Sequence, residues 1–140
     1  MNDPNLALLN AFQSALSGLS VGSKAINVYP AIAPLKNVPS KYVLLTLQTR
    51  TDNKTKCGNW FECDITTDIV TRYPNGTGDI TFAMNIGQSI SALVQDTTLT
   101  LSGFSIRECK QMPPQTLSLQ TDNEDIYRYL LNFYYKINIL

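Results

Sequence analysis

The sequence predicts an α+β, two-layer domain in which two helices pack on one face of a mostly antiparallel sheet. Two segments carry apolar residues at spacings of three and four, as amphipathic helices do, and several others alternate apolar with polar residues, as half-buried strands do. The chain has 140 residues, of which 44% are hydrophobic, so a single domain over residues 1–140 can bury one core. The predicted element order is α-β-β-β-α-β-β.

The first half contains one helix and three strands. The helix is predicted to begin at Asp3-Pro4, because aspartate is a good N-cap and proline is favoured in the first turn. Its predicted buried stripe consists of Leu6, Leu9, Phe12, Leu16 and Leu19. The predicted strands are "AINVY", "KYVLLTLQTRT" and the segment from Trp60 to Tyr73. Prolines make "PAIAPLKNVP" an irregular connection, and the polar "DNKTKCGN" is predicted to be the loop between the two long strands.

The second half begins with a helix over "ITFAMNIGQSISALV", with Asp79 as its predicted N-cap. The helix is expected to bury Phe82, Ile86, Ile90 and Leu93, and to be weakened at Gly87. "FSIRECKQM" reads as a strand, "PPQTLSLQTDNED" as a long connection and "IYRYLLNFYYKINIL" as an alternating final strand. The predicted common core comprises Phe12, Leu16, Val43, Leu45, Ile65, Ile86, Ile90, Phe133 and Tyr135.

Composition excludes several classes of function. The chain contains no histidine, which rules out histidine-activated nucleophiles and the commonest catalytic zinc sites. Eleven basic and eleven acidic residues cancel, so no global charge attracts nucleic acid or a membrane. Three cysteines without a CxxC pair, and a start without signal-peptide features, indicate a reduced cytoplasmic protein with no membrane partner. No cofactor or metal is expected.

Three carboxylates at even spacings form the most noticeable polar pattern. Glu62, Asp64 and Asp68 share one face of a predicted strand, where they could bind Mg²⁺. A strand with one buried face also needs a polar opposite face, and no phosphate-binding motif accompanies the acids. We therefore expect all three to lie on the helix-free side of the sheet, exposed to solvent or to a neighbouring subunit.

Two further patterns are typical of functional sites. Asp96 together with Glu108-x-Lys110 fits the acid-x-Lys arrangement of small Mg²⁺-dependent nucleases, in which two carboxylates hold the metal and lysine stabilises charge. The tyrosines of the final strand could stack on single-stranded nucleic acid, but Arg128 and Lys136 fall on the opposite face. The aromatic row is therefore predicted to belong to the core. No enzymatic site is expected, and the nuclease is kept as the alternative function.

One stretch, "VYPAIAPLKNVPSKYVLLTLQTRT", resembles the tail-completion, or tail-terminator, proteins of long-tailed bacteriophages. Those proteins have an N-terminal helix, a short strand, a proline-containing connection and an aromatic-Val-x-Leu strand, here Tyr42 to Leu45. "DITTDIVTRY", Ile80 to Val94, Phe104 to Met112 and Ile126 to Leu140 match the elements that follow in the family. The resemblance covers nearly the whole chain and rests on element order, since the family has no catalytic motif.

The resemblance implies a structural protein of the virion, assembled in the host cytoplasm and located in the tail or neck. Such proteins form a ring, commonly hexameric, that caps the tail tube and joins it to the head. The implied partners are further copies of the chain, the tail tube protein and head-tail connector proteins, with DNA passing through the ring without specific binding. A different adaptor or ring protein on the same scaffold remains an alternative.

A partner interface is predicted at the hairpin between the two long strands. Its residues are Asp52, Asn53, Lys54, Lys56, Asn59 and Trp60. Strands of this length exceed what a small core covers, so the hairpin is expected to project, and its polar tip to be mobile until it meets a neighbour. The lysines would supply charge complementarity to that neighbour.

Overall fold

A computed structural model describes residues 4–30, 39–55, 58–95, 99 and 101–139. It contains helices α1 (Pro4–Ala15) and α2 (Thr81–Gln95). The strands are β1 (Ser20–Val21), β2 (Lys24–Ala25), β3 (Asn27–Pro30), β4 (Lys41–Thr55), β5 (Gly58–Pro74), β6 (Phe104–Gln111), β7 (Gln115–Gln120) and β8 (Glu124–Ile139). The predicted α+β class is confirmed, with both helices packed on the main sheet. Within the described residues, no helix is long and apolar enough to cross a membrane.

The main sheet has the strand order β3-β4-β5-β8-β6, and β7 also pairs with β8. Pairing is antiparallel throughout, except between β3 and β4, which run parallel. Strand β6 pairs with residues 133–139 of β8, and β7 pairs with residues 125–130. The two short strands therefore lie end to end along one side of β8, and Pro113 and Pro114 separate them.

Strand β7 corrects the prediction of a long connection over "PPQTLSLQTDNED". The prolines interrupt the strand because they lack an N–H donor, but the chain keeps its course along β8. Met112 N donates to the carbonyl of Asn132 at 2.8 Å before the interruption. After it, Gln115 lies opposite Leu130, and the chain turns at residues 121–124 into β8.

The nine predicted core residues are all buried in one cluster between the helices and the sheet, as predicted. Phe12 of α1 sits at its centre, with its ring edge-on to Phe133 and Tyr135 at 5.8 Å from each. The predicted stripe of α1 was partly wrong. Leu8 is fully buried, whereas Leu6 is 61% exposed, because the buried stripe follows Leu8, Ala11, Phe12 and Leu16 at spacings of three and four.

Helix α2 begins as predicted, with Thr81 N donating to Asp79 Oδ1 at 2.9 Å. Ala83, Ile86, Ile90 and Val94 form its buried stripe, while the predicted Phe82 and Leu93 pack at its margins. The turn before the helix is attached to β8. Buried Asp125 accepts hydrogen bonds from Asn75 Nδ2 at 3.0 Å and Gly76 N at 2.9 Å.

The β4–β5 hairpin differs from the prediction in extent. Strand pairing reaches Thr55 opposite Gly58, so much of the predicted loop over residues 52–59 is strand, and residues 56–57 lie outside the described residues. Strand β8 accompanies β5 as far as Trp60, and the core reaches Phe61. The hairpin is therefore part of the sheet rather than a projecting arm, and residues 54–55 and 58–59 lie beyond the last β5–β8 pair.

Candidate interaction surface

The sheet has one face that the helices leave open, which we call the helix-free face. Residues directly opposite each other on neighbouring strands share a face, so the register identifies its members. Across the middle of the sheet they are Tyr29, Tyr42, Leu44, Asp68, Val70, Arg128, Leu130, Leu117 and Leu119. The sequence predicts a polar helix-free face. The structure instead shows apolar side chains beside paired charges on it.

The predicted row of acids lies on the helix-free face, as the alternation of β5 required. Glu62 lies opposite Lys136, and Asp64 lies opposite Tyr134. Both acids are half-buried, and Glu62 accepts a hydrogen bond of 2.5 Å from the Tyr134 hydroxyl. No group of three His, Cys, Asp or Glu side chains that could hold a metal occurs in the described parts of the chain.

The prediction that all three acids would be exposed was wrong, since Glu62 and Asp64 are half-buried and Asp68 is only 7% exposed. Arg128 of β8 donates to Asp68 through Nε, at 3.2 Å from Oδ1, and through Nη2 to Oδ2. The hydrogen bond to Asp68 is the main cause that raises the pKa of Arg128. Asp68 is thus the anion of a two-point ion pair, placed in register between Leu44 and Leu130.

A second ion pair lies nearer the β7–β8 turn. Arg72 donates to Glu124 Oε1 from Nε at 3.1 Å and also from Nη2. The hydrogen bond to Glu124 is the largest cause that raises the pKa of Arg72, and Tyr42 makes a smaller contribution. The two arginines of this region are therefore each neutralised by a carboxylate within the sheet.

The residues of the nuclease alternative are only partly brought together. Lys110 Nζ lies 3.2 Å from Glu108 Oε1 on β6, with side chains 64% and 42% exposed. This is an exposed ion pair, and such pairs are common on protein surfaces. Asp96 lies outside the described residues.

Strand β7 carries the surface that sequence reasoning missed. Leu117 and Leu119 are 47% and 59% exposed on the helix-free face. Beside them, at the interruption between β6 and β7, an open cleft of about 560 Å³ is lined by Thr66, Met112, Pro113, Pro114, Gln115, Leu130 and Asn132. The alternation T-L-S-L was the available signal, but the prolines before it favoured a connection.

The hairpin residues predicted to contact a partner lie at the other end of the sheet. Asp52, Asn53 and Lys54 belong to β4, and Asn59 and Trp60 belong to β5. Asn53 lies opposite Trp60, and Lys54 opposite Asn59. Lys56 lies outside the described residues. The predicted interface at the hairpin tip and the exposed strand β7 are therefore two separate places on the sheet.

Comparisons with known proteins give a fold relationship. No protein-family model matches the sequence, and no curated protein matches it. A chain of a solved structure described as "Virion of native gene transfer agent (GTA) particle" matches with a TM-score of 0.69 and 21% sequence identity. The match covers 99% of this chain and 99% of that chain, so the two share one fold over their whole lengths.

Proposed function

We propose that this protein is a structural component of a phage-like virion. In this proposal it forms a ring at the neck or head-proximal end of the tail, where it caps the tail tube and joins it to the head. The observation that carries the proposal is the fold shared with a chain of a gene transfer agent virion, since the match covers 99% of both chains. The resemblance of the element order to tail-terminator proteins supports the same role.

The proposed partners are further copies of the chain in a ring, commonly a hexamer, together with the tail tube protein and head-tail connector proteins. DNA would pass through the ring without being read. The equal numbers of acidic and basic residues support this, as does the pairing of Arg72 and Arg128 with carboxylates. Tight non-specific binding to DNA depends instead on cations free to replace counterions along the phosphates.

The proposed role is not catalytic. Glu108, one of the residues that a nuclease would use for metal binding, is engaged by Lys110. An adaptor protein on the same scaffold would share the fold and is the alternative.

The test is removal of the protein from cells that produce the particle. Without a tail terminator, heads and tails should remain unjoined, and the tails should vary in length. Expression of the intact chain should restore uniform, joined particles, and labelled antibody should mark the head-proximal end of the tail in electron micrographs. Normal particles without the protein would contradict the proposal, and unjoined tails of uniform length would favour the adaptor. Incubation of the purified protein with DNA and Mg²⁺ tests the nuclease, which predicts cleavage.

A further inference from the structure

Among the described residues, strand β7 lies at an edge of the main sheet and lacks the usual protection of an edge strand. All six of its residues are exposed, and it contains neither charge nor proline. Natural proteins normally blunt such edges with charges, prolines or bulges, because an open edge can pair with another strand. With two leucines exposed beside its free backbone groups, β7 has the composition of a strand that pairs with a partner.

We infer that β7 of one copy pairs antiparallel with β3 of a second copy, so that neighbouring subunits share a continuous sheet. This rests on the proposed ring, because a closed ring needs contacts between two different surfaces of each copy. Strands β3 and β7 lie on opposite edges of the main sheet. They run in opposite directions, since β3 is parallel to β4 and each later pairing through β5 and β8 is antiparallel.

The register of this contact follows from the two faces of the sheet. Tyr29 of β3 lies on the helix-free face, where its ring packs edge-on against Tyr42 at 6.1 Å. Pairing Tyr29 of one copy with Leu117 of the next joins two apolar side chains on the same face, and cross-strand pairs of this kind stabilise sheets. Asn27 then lies opposite Leu119.

Charge complementarity supports the same register. At this end of the contact, exposed Lys24 in the β1–β2 hairpin of one copy comes near exposed Asp122 in the β7–β8 turn of the other. The charge of Lys24 also acts on Lys41, whose pKa is lowered mainly by burial and to a smaller extent by Lys24. Two cations, one from β2 and one from β4, therefore lie near the start of β3, and an acid from the neighbouring copy would offset their charge. Two copies of β7 paired with each other, centred on Ser118, would leave these charges unmatched.

Engineered disulfides test the contact. The starting chain carries Cys57→Ser and Cys109→Ser, so that the buried Cys63 is its only native cysteine. Directly opposed β-carbons in an antiparallel pair lie about 4.5–5.5 Å apart, near enough for a disulfide after a small adjustment. Tyr29→Cys and Leu117→Cys combined in one chain should give a ladder of covalent multimers on oxidation. Each change alone should give none. Dimers formed by a Ser118→Cys chain would show β7–β7 pairing and overturn the inference.

The second experiment exchanges the charges of Lys24 and Asp122 and measures the molar mass of each variant by light scattering. Asp122→Lys should raise the concentration at which multimers form by up to about fivefold, since one exposed ion pair contributes up to about 1 kcal/mol. Adding Lys24→Asp should restore assembly. If the parent chain is multimeric but the chain with Tyr29→Cys and Leu117→Cys gives no ladder, the β3–β7 contact is overturned and the proposed ring is not. A parent chain that is monomeric at every concentration and absent from purified particles would overturn both the contact and the proposed function.

Discussion

The ring of Tyr129 packs against the backbone of Gly87 in α2. A β-carbon on Gly87 would lie 2.6 Å from Cε2 and 2.8 Å from Cδ2 of that ring, well inside contact distance. The glycine therefore sets how closely the helix approaches β8. From the sequence, Gly87 is a weak point of α2. In the folded protein the same residue is where the helix contacts the sheet.

Gly87→Ala should therefore destabilise the protein. Alanine at a helix position is normally favoured over glycine by about 1 kcal/mol. Here we expect a net loss of about 1–2 kcal/mol, because overpacking displaces the Tyr129 ring or the helix. Urea unfolding measures the difference, with Gly18→Ala as the control, since nothing lies within 4 Å of a β-carbon there. In a Tyr129→Val background the same Gly87→Ala change should become neutral or stabilising, and an unchanged loss would contradict the packing argument.

Phe133→Ala should cost about 3–5 kcal/mol of unfolding free energy. Phe133 is fully buried, and its ring meets the edge of Phe12, so truncation leaves a cavity beneath α1. Leu6→Ala is the comparison, because Leu6 is 61% exposed and should change stability by less than about 0.5 kcal/mol. A loss below about 1 kcal/mol for Phe133→Ala would show that the final strand does not present this face to the core.

The elements that the sequence predicted correctly are those fixed by local chemistry. The N-cap of α2 needs only Asp79 and the residues after it, and the core of the final strand follows from its alternation. Helix α1 was predicted at the right place but with the wrong stripe. Leu6, Leu8 and Leu9 all precede Phe12, and only packing against the sheet determines which of them is buried.

The errors concern interactions between residues far apart in the chain. Asp68 is an acid on the outer face of a strand, and its burial depends on Arg128, 60 residues away. Strand β7 was missed for the same reason, because its pairing partner is β8 and the preceding prolines indicate a turn by themselves. The Arg128–Asp68 pair leaves no pattern within a short window of sequence, and the T-L-S-L alternation of β7 is outweighed by the prolines before it.

The two ion pairs of the helix-free face should differ in their contribution to stability. Arg128→Ala leaves the Asp68 carboxylate, whose side chain is 10% exposed, without its cation, whereas Arg72→Ala leaves Glu124, which is 28% exposed. We expect a loss of about 2 kcal/mol for Arg128→Ala, reduced from the cost of a fully buried pair because Arg128 is itself partly exposed. Arg72→Ala should cost about 1 kcal/mol or less. Equal losses of unfolding free energy for the two variants would show that the burial of Asp68 adds nothing to the stability that its ion pair contributes.

Stability should fall in alkali partly because of Tyr135. Burial, with a smaller effect of Cys109, raises the pKa of the Tyr135 phenol well above its ordinary value of 10.0. Above pH 10 the unfolded chain loses this proton while the folded protein keeps it, so unfolding becomes more favourable as the pH rises. Tyr135→Phe should make that decline shallower by up to about 1.4 kcal/mol per pH unit.

The measurement for Tyr135 is the free energy of unfolding in urea from pH 7 to pH 11.5. Tyr29→Phe is the control, because Tyr29 is only half-buried at the edge of the sheet. At pH 7 the Tyr135→Phe chain should lie within about 1.5 kcal/mol of the parent, the usual effect of one hydroxyl contact. If the unfolding free energies of Tyr135→Phe and the parent fall equally steeply above pH 10, the prediction is contradicted.

Shortening the β4–β5 hairpin should impair assembly without unfolding the protein. Asn53 lies opposite Trp60, so Lys54–Asn59 can be replaced by a two-residue Asn-Gly turn that closes the hairpin at that pair. In the described part of the chain the core begins at Phe61, and strand β8 reaches Trp60, so the shortened chain keeps the contacts of the described core. Its unfolding free energy should therefore stay within about 1 kcal/mol of the parent. If the tip contacts a neighbouring subunit or the tail tube, incorporation into particles should fall.

A chain with Lys54→Gln and Lys56→Gln separates the effect of charge from that of length. Because charge complementarity acts more on docking rate than on affinity, this chain should assemble more slowly but reach the parent's final yield. The shortened hairpin should lower the yield itself, since it removes backbone and side-chain contacts together. Electron microscopy of particles made with each variant provides the measurement. Tails of normal length and number from the shortened chain would place the partner interface elsewhere on the molecule, and β7 would then be the candidate to examine next.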